Sequence, residues 1–244
     1  MSMPVEDRLG LLGLWPVWQL RGEVLEAAVA DSPSAGVERR QDVPSHADND
    51  IASLNWAALR QSVLACNRCP LHETRGQGVF GVGDVNADWL IVGEAPGADE
   101  DRQGEPFVGQ AGKLLDAMLA SIGLRRGENV YIANVLKSRP PGNRDPKPGE
   151  VAACLPFLAR QIDLIRPRII LALGRFAAQN LLATETSISG LRGKVHAYQG
   201  VPMVVTYHPA YLLRNPVDKA KVWEDLCLAR NYLASAQSGQ ITGA

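Results

Sequence analysis

The segment Gly93-Glu94-Ala95-Pro96-Gly97 places a carboxylate in a run with two glycines and a proline. Such a run makes a tight turn whose backbone approaches a ligand closely. Glu100, Asp101 and Arg102 follow, then Pro106-Phe107-Val108-Gly109. Carboxylates beside such a turn can orient a water or stabilise a developing cation. Further on, His208-Pro209-Ala210-Tyr211-Leu212-Leu213 sets an imidazole ahead of a short apolar run. Cys66-Asn67-Arg68-Cys69 has the spacing of paired metal ligands. The basic stretch Lys137, Arg139, Arg144 and Lys147, interrupted by Pro140-Pro141-Gly142-Asn143, is suited to phosphate contacts. Singly, each feature has a plainer reading: a strand-to-helix loop, a core aromatic, a helix cap, a solvated charged loop. Cys227, on a helical stretch, reads as a small buried hydrophobe.

The elements that must position these residues alternate. Short apolar runs at 88–92, 130–135, 168–173 and 201–206 read as buried strands. Helical spacing occupies 54–64, 112–124, 149–165, 176–182 and 219–233, with Pro148 opening the third of these and Pro167 beyond it. Strands alternating with helices predict a three-layer α/β/α domain around a central four-stranded, mostly parallel sheet. Ligands of such sheets bind beyond the carboxyl ends of the strands. Residues 93–97, 134–139, 174 and 207–213 fall there, so the candidate chemistry and the strand ends coincide.

Net charge is −1, but residues 1–50 hold nine acids and four bases, a net of −5, so the remainder carries +4. That asymmetry separates two roles along the chain and is compatible with DNA binding by the larger part. Residues 8–21 are apolar and contain Trp15 and Trp18, whereas 27–50 are rich in Ala, Ser, Asp and Pro. The expected organisation is a docking peptide at 1–26, a flexible linker at 27–50, the domain at 51–235 and a disordered tail at 236–244. No apolar run reaches the roughly 18 residues of a membrane span, and no signal peptide is read at the N-terminus. A cytoplasmic monomer without membrane contact is expected, its cysteines thiols or metal ligands.

In order and position, these segments resemble the family 4 uracil-DNA glycosylases, the iron–sulfur type of bacteria and archaea, from about Cys66 to Leu233. Their first motif is Gly-Glu-Ala/Gly-Pro-Gly followed by acids and Pro-Phe-Val-Gly; their second begins His-Pro and runs into leucines. The resemblance implies DNA containing uracil as substrate, and hydrolysis of the base–sugar bond to leave an abasic site. It implies a pocket bounded by Gly93 and Ala95, with Phe107 stacking on the flipped base and Asn134 pairing with the amide edge of uracil. His208 would stabilise the departing uracil anion. Leu212 or Leu213 would fill the gap in the duplex, and Glu94 or Glu100 would orient the water. Other uracil glycosylases carry an aspartate in the first motif for this role; its position here is Ala95, as in family 4 generally. The family also implies a 4Fe–4S cluster on four cysteines. The corresponding residues here are Cys66, Cys69, Cys154 and Ser138, a serine in Lys137-Ser138-Arg139-Pro140-Pro141. A hydroxyl is a harder donor that ionises far less readily than a thiol. Three outcomes stay open: an intact cluster with a serine or exogenous ligand, a labile one, or none.

Residues 8–21 are similar to the N-terminal peptide of the DNA polymerase III psi subunit, although in that pattern the Trp lies one residue nearer the Leu-Gly. This implies the polymerase III chi subunit as a partner. The alternative reading of the segment is a helix packed on the main domain. The rival reading of the whole chain is a glycosylase fold without activity, tethered to the replisome through that segment.

Overall fold

The computed structural model describes residues 46–237. The docking peptide, most of the linker and residues 238–244 lie outside them. Helix α1 (His46–Ser53) and helix α2 (Trp56–Leu64) come first; the linker expectation is therefore corrected at 46–50, which are helical. Asn55 caps α2 by accepting from the Ala58 amide at 3.0 Å. Then come β1 (Val82–Gly83), β2 (Trp89–Gly93), α3 (Ala98–Gln103), α4 (Gln110–Ser121), β3 (Val130–Asn134) and α5 (Pro148–Ile165). The chain continues through β4 (Ile169–Leu173), α6 (Gly174–Leu182), α7 (Ile188–Leu191), β5 (Val195–Tyr198), β6 (Val201–Thr206), α8 (Pro209–Arg214) and α9 (Lys219–Gln237).

The sheet has six strands in the order β1-β3-β2-β4-β6-β5. The four expected strands form its parallel centre. The expected count is corrected by two antiparallel edges, β1 on β3 and β5 on β6. Residues alternate between faces. Leu90, Val92, Ala133, Ala172 and Val205 pack with Val151 and Leu158 of α5 and Ala177 of α6. Trp89, Ile91, Ile132, Leu171 and Val204 pack with Leu115 of α4 and Val222 and Leu226 of α9. With helices on both faces, the central strands are apolar at nearly every position. The parallel register sets Gly93 beside Asn134. Loops from the ends of β2, β3, β4 and β6 thereby gather on one side.

Candidate active site

Those strand ends enclose a cleft of about 440 Å³, a size suited to a small planar ligand. Glu94, Ala95, Phe107, Asn134 and His208 all line it, together with Tyr211 and Arg214. Two glycines permit the close approach. A side chain on Gly93 would collide with Asn134 Oδ1 and would meet the Phe107 ring at 2.6 Å. Gly174, at φ +89°, would push a Cβ within 2.9 Å of His208.

Phe107 is buried and holds a left-handed backbone, φ 57°, which a bulky residue keeps only when its surroundings compel it. Arg126 supplies the constraint, donating to the carbonyls of Pro106 at 3.0 Å and Phe107 at 2.8 Å. The Phe107 ring lies 5.5 Å from the imidazole of His208, tilted by 32°.

Asn134 ends β3 and is 2% exposed. Its Oδ1 has no hydrogen-bond partner, a state that costs about 1–3 kcal/mol unless a ligand completes it. His208 caps α8, its Nδ1 accepting from the Ala210 amide at 3.2 Å. This bond leaves the proton of the neutral ring on Nε2. Burial holds the imidazole down to about 4; the charge of Glu100 opposes that shift and Arg214 reinforces it. The ring is therefore neutral at pH 7. Burial likewise raises Glu94 to about 7, with Asp145 adding and Arg175 opposing.

Several expected roles are corrected. Glu100 is tied to the backbone: Oε1 accepts from Val108 and Gly109 at 3.0 and 3.2 Å, and Oε2 from Gly97 at 3.1 Å. It fastens the Gly93–Gly97 turn to the Phe107 segment, although it lines the cleft as Glu94 does. Leu212 is wholly buried against α4 and α9, so it cannot enter DNA; Leu213, 50% exposed, faces out. Lys137 is 1% exposed. Its Nζ donates to the Asn134 carbonyl at 2.9 Å and to Gln161 Oε1 at 2.5 Å, so it reaches no phosphate. Arg144 is paired bidentately with Glu150. Arg139 is half-buried and donates to Asn143 at 2.8 Å; Lys147 is exposed. Arg214 and Tyr211, at the cleft, were missed; neither type nor spacing set them apart.

Cys66 and Cys69 are half-buried and Cys154 buried. Burial pushes the Cys154 thiol up to about 11, and the nearby charges of Cys69 and Cys66 act in the same direction. Burial raises Cys69 as well. A four-thiolate cluster would need a sulfur where Ser138 stands, and the hydroxyl there already accepts from Arg75 Nη1 at 2.7 Å. Among the described residues, no three His, Cys, Asp or Glu side chains are grouped to hold a metal ion. The donor set does not fit a four-cysteine cluster. Among the described residues, too, no helix is long and apolar enough to cross a membrane.

The profile of the Uracil DNA glycosylase superfamily matches residues 80–227. The chain is 54% identical over 164 residues to the type-4 uracil-DNA glycosylase of Archaeoglobus fulgidus, covering 64% of this chain and 82% of that protein. It is 43% identical over 180 residues to the type-4 enzyme of Pyrobaculum aerophilum, covering 70% and 90%. Against that of Thermotoga maritima it is 44% identical over 179 residues, covering 72% and 93%. With the matched region spanning the sheet and every loop of the cleft, the chain belongs to the uracil-DNA glycosylase superfamily.

Proposed function

We propose that the protein hydrolyses the N-glycosidic bond of uracil in DNA, as the name of its type-4 relatives states for them. The observation that carries this reading is the unpartnered Oδ1 of Asn134, buried between the Phe107 ring and the Gly93 turn. Uracil presents N3–H to such an oxygen and O4 to the amide NH₂. Cytosine reverses both groups and leaves two buried clashes, a strong basis for rejection. An extrahelical base stacks on Phe107, and the exposed Leu213 fills the vacated space.

As the N1–C1′ bond breaks, its electrons move onto the base. Neutral His208 donates Nε2–H to O2, where that charge collects, and a donor held in place there stabilises the leaving group. Glu94, ionised above about pH 7, takes the proton of the water that adds to C1′. Arg214 lines the cleft, and Arg139 and Lys147 flank the loop from Pro140 to Asp145, which also lines it; these side chains can meet backbone phosphates. No step uses an iron–sulfur group. Base-excision repair in the cytoplasm by a monomer is part of the same reading. Uracil release from an oligonucleotide, measured for wild type and Asn134→Ala, tests it: a drop of at least about a hundredfold is expected, and equal rates would overturn the base-reading role.

The acidic separation of residues 8–21 from the domain favours a second role, docking to the polymerase III chi subunit. Pull-down of chi by residues 1–30 checks it; failure to bind removes it.

A further inference from the structure

Residues 134–138 run from the base-reading end of β3 to the cysteines, and each is fastened to another part of the fold. The Val135 and Leu136 amides donate to the Gly93 and Glu94 carbonyls at 3.0 Å, and the Val79 amide donates to the Lys137 carbonyl at 2.8 Å. The Lys137 amide donates to Cys154 Sγ at 3.4 Å. Lys137 Nζ ties the Asn134 carbonyl to Gln161, whose own NH₂ donates to the Phe80 carbonyl at 2.9 Å.

At Ser138 the fastening is a guanidinium. Arg75 gives one nitrogen to Ser138 Oγ at 2.7 Å and the other to the carbonyls of Leu64 and Cys66, both at 2.9 Å. The next residue, Gly76, is itself held by both carboxylate oxygens of buried Asp101 at 2.9 Å. Arg75 therefore joins the Cys66 segment to the base-reading loop, the two segments that ligands of one shared cluster would join. A hydroxyl is a good acceptor for this purpose and a thiol a weak one; a donor that carries charge makes the bond stronger than a neutral pair.

We propose that in this chain the Arg75–Ser138 hydrogen bond is the cross-link between the Cys66 segment and residues 134–138, in the structural place of a cysteine–iron bond. The base-reading loop then keeps its order without a bound cluster. This goes beyond the glycosylase reading and does not depend on it, because it concerns the order of the loop and not the release of uracil.

The test is amide hydrogen exchange on the full chain, purified anaerobically, with iron and acid-labile sulfide measured, before and after treatment with an iron chelator. Protection of the 134–138 amides in wild type should stay within about twofold on chelation, whatever the iron content. Ser138→Ala should lower it about ten- to hundredfold while β4 keeps its protection. Ser138→Thr, which retains the hydroxyl, should restore it. Arg75→Gln should act like Ser138→Ala, and the double variant should be no worse than the poorer single one. If Arg75→Gln does not fold, the two Ser138 variants decide alone. Two results overturn the proposal: wild-type protection collapsing on removal of iron, or Ser138→Ala leaving protection intact.

Discussion

Replacing Glu94 by glutamine separates what the cleft does from what it costs. The carboxyl is raised from 4.5 to about 7, chiefly by burial. If its ionised form takes the proton of the attacking water, the single-turnover rate follows the ionised fraction. It should rise about tenfold per pH unit up to about 7 and then level, leaving about one hundredth of the plateau at pH 5. His208, held down to about 4, stays neutral across this range and adds no inflection. E94Q should flatten the profile and cut the plateau by about 10²–10⁴. Stability moves the other way. The native state keeps the Glu94 proton up to about 7, whereas the unfolded chain releases it near 4.5. The folded state therefore loses about 3 kcal/mol as pH rises through that window. E94Q has no such loss. Relative to wild type it should gain about 3 kcal/mol between pH 4 and pH 8, read as a gain of about 1–2 M in urea midpoint. His208 has the opposite sign: its lowered pKa gives stability that is lost as pH falls from 6.5 towards 4. In wild type the two slopes oppose one another; in E94Q the His208 slope stands alone. An E94Q advantage that is the same at pH 5 and pH 8 refutes the burial argument. A wild-type rate that is flat from pH 5 to pH 8 refutes the role of Glu94 as base.

Other expectations come from the same geometry. His208→Ala should lower the cleavage rate about 10²–10³-fold with little change in substrate affinity, measured by single-turnover kinetics at saturating enzyme; a loss confined to affinity would argue against leaving-group stabilisation. Leu213→Ala should slow release from duplex DNA by more than from a single strand, which has no gap to fill; equal effects would remove the wedge role. Lys147→Ala should reduce the salt dependence of DNA binding by about one unit of slope. Lys137→Met should leave that slope unchanged, since its ammonium is buried; a reduced slope would contradict the placement.

The parallel centre of the sheet was legible because its strands are uninterrupted apolar runs, and the rule that ligands sit at strand ends then located Gly93, Asn134 and His208. The edges were not. β1 is two residues beside Gly81, and β5 is Val195-His196-Ala197-Tyr198, too short and too mixed to show a period. The choice between Leu212 and Leu213 is a matter of helical phase, which only the packing of α8 sets. Glu100 stands three residues after Gly97, the position from which a glutamate reaches back to the amide that opens a helix, and this offered a signal for its structural role. Lys137 defied expectation because lysines are rarely buried; its partner Gln161 lies 24 residues away on α5. Arg75 is an isolated arginine in a loop, and its importance comes from carbonyls of Leu64 and Cys66 that no side-chain pattern reveals.

The bond from the Ala210 amide to His208 Nδ1 makes the imidazole part of the hub of α8, and Leu213 stands near the far end of that six-residue helix. The imidazole that lines the cleft and the exposed Leu213 are thus carried on one short element. Leu212, wholly buried between the two, anchors this helix against α4 and α9, so the imidazole and the exposed leucine hold a fixed spacing, and a substitution that loosened Leu212 would disturb both at once.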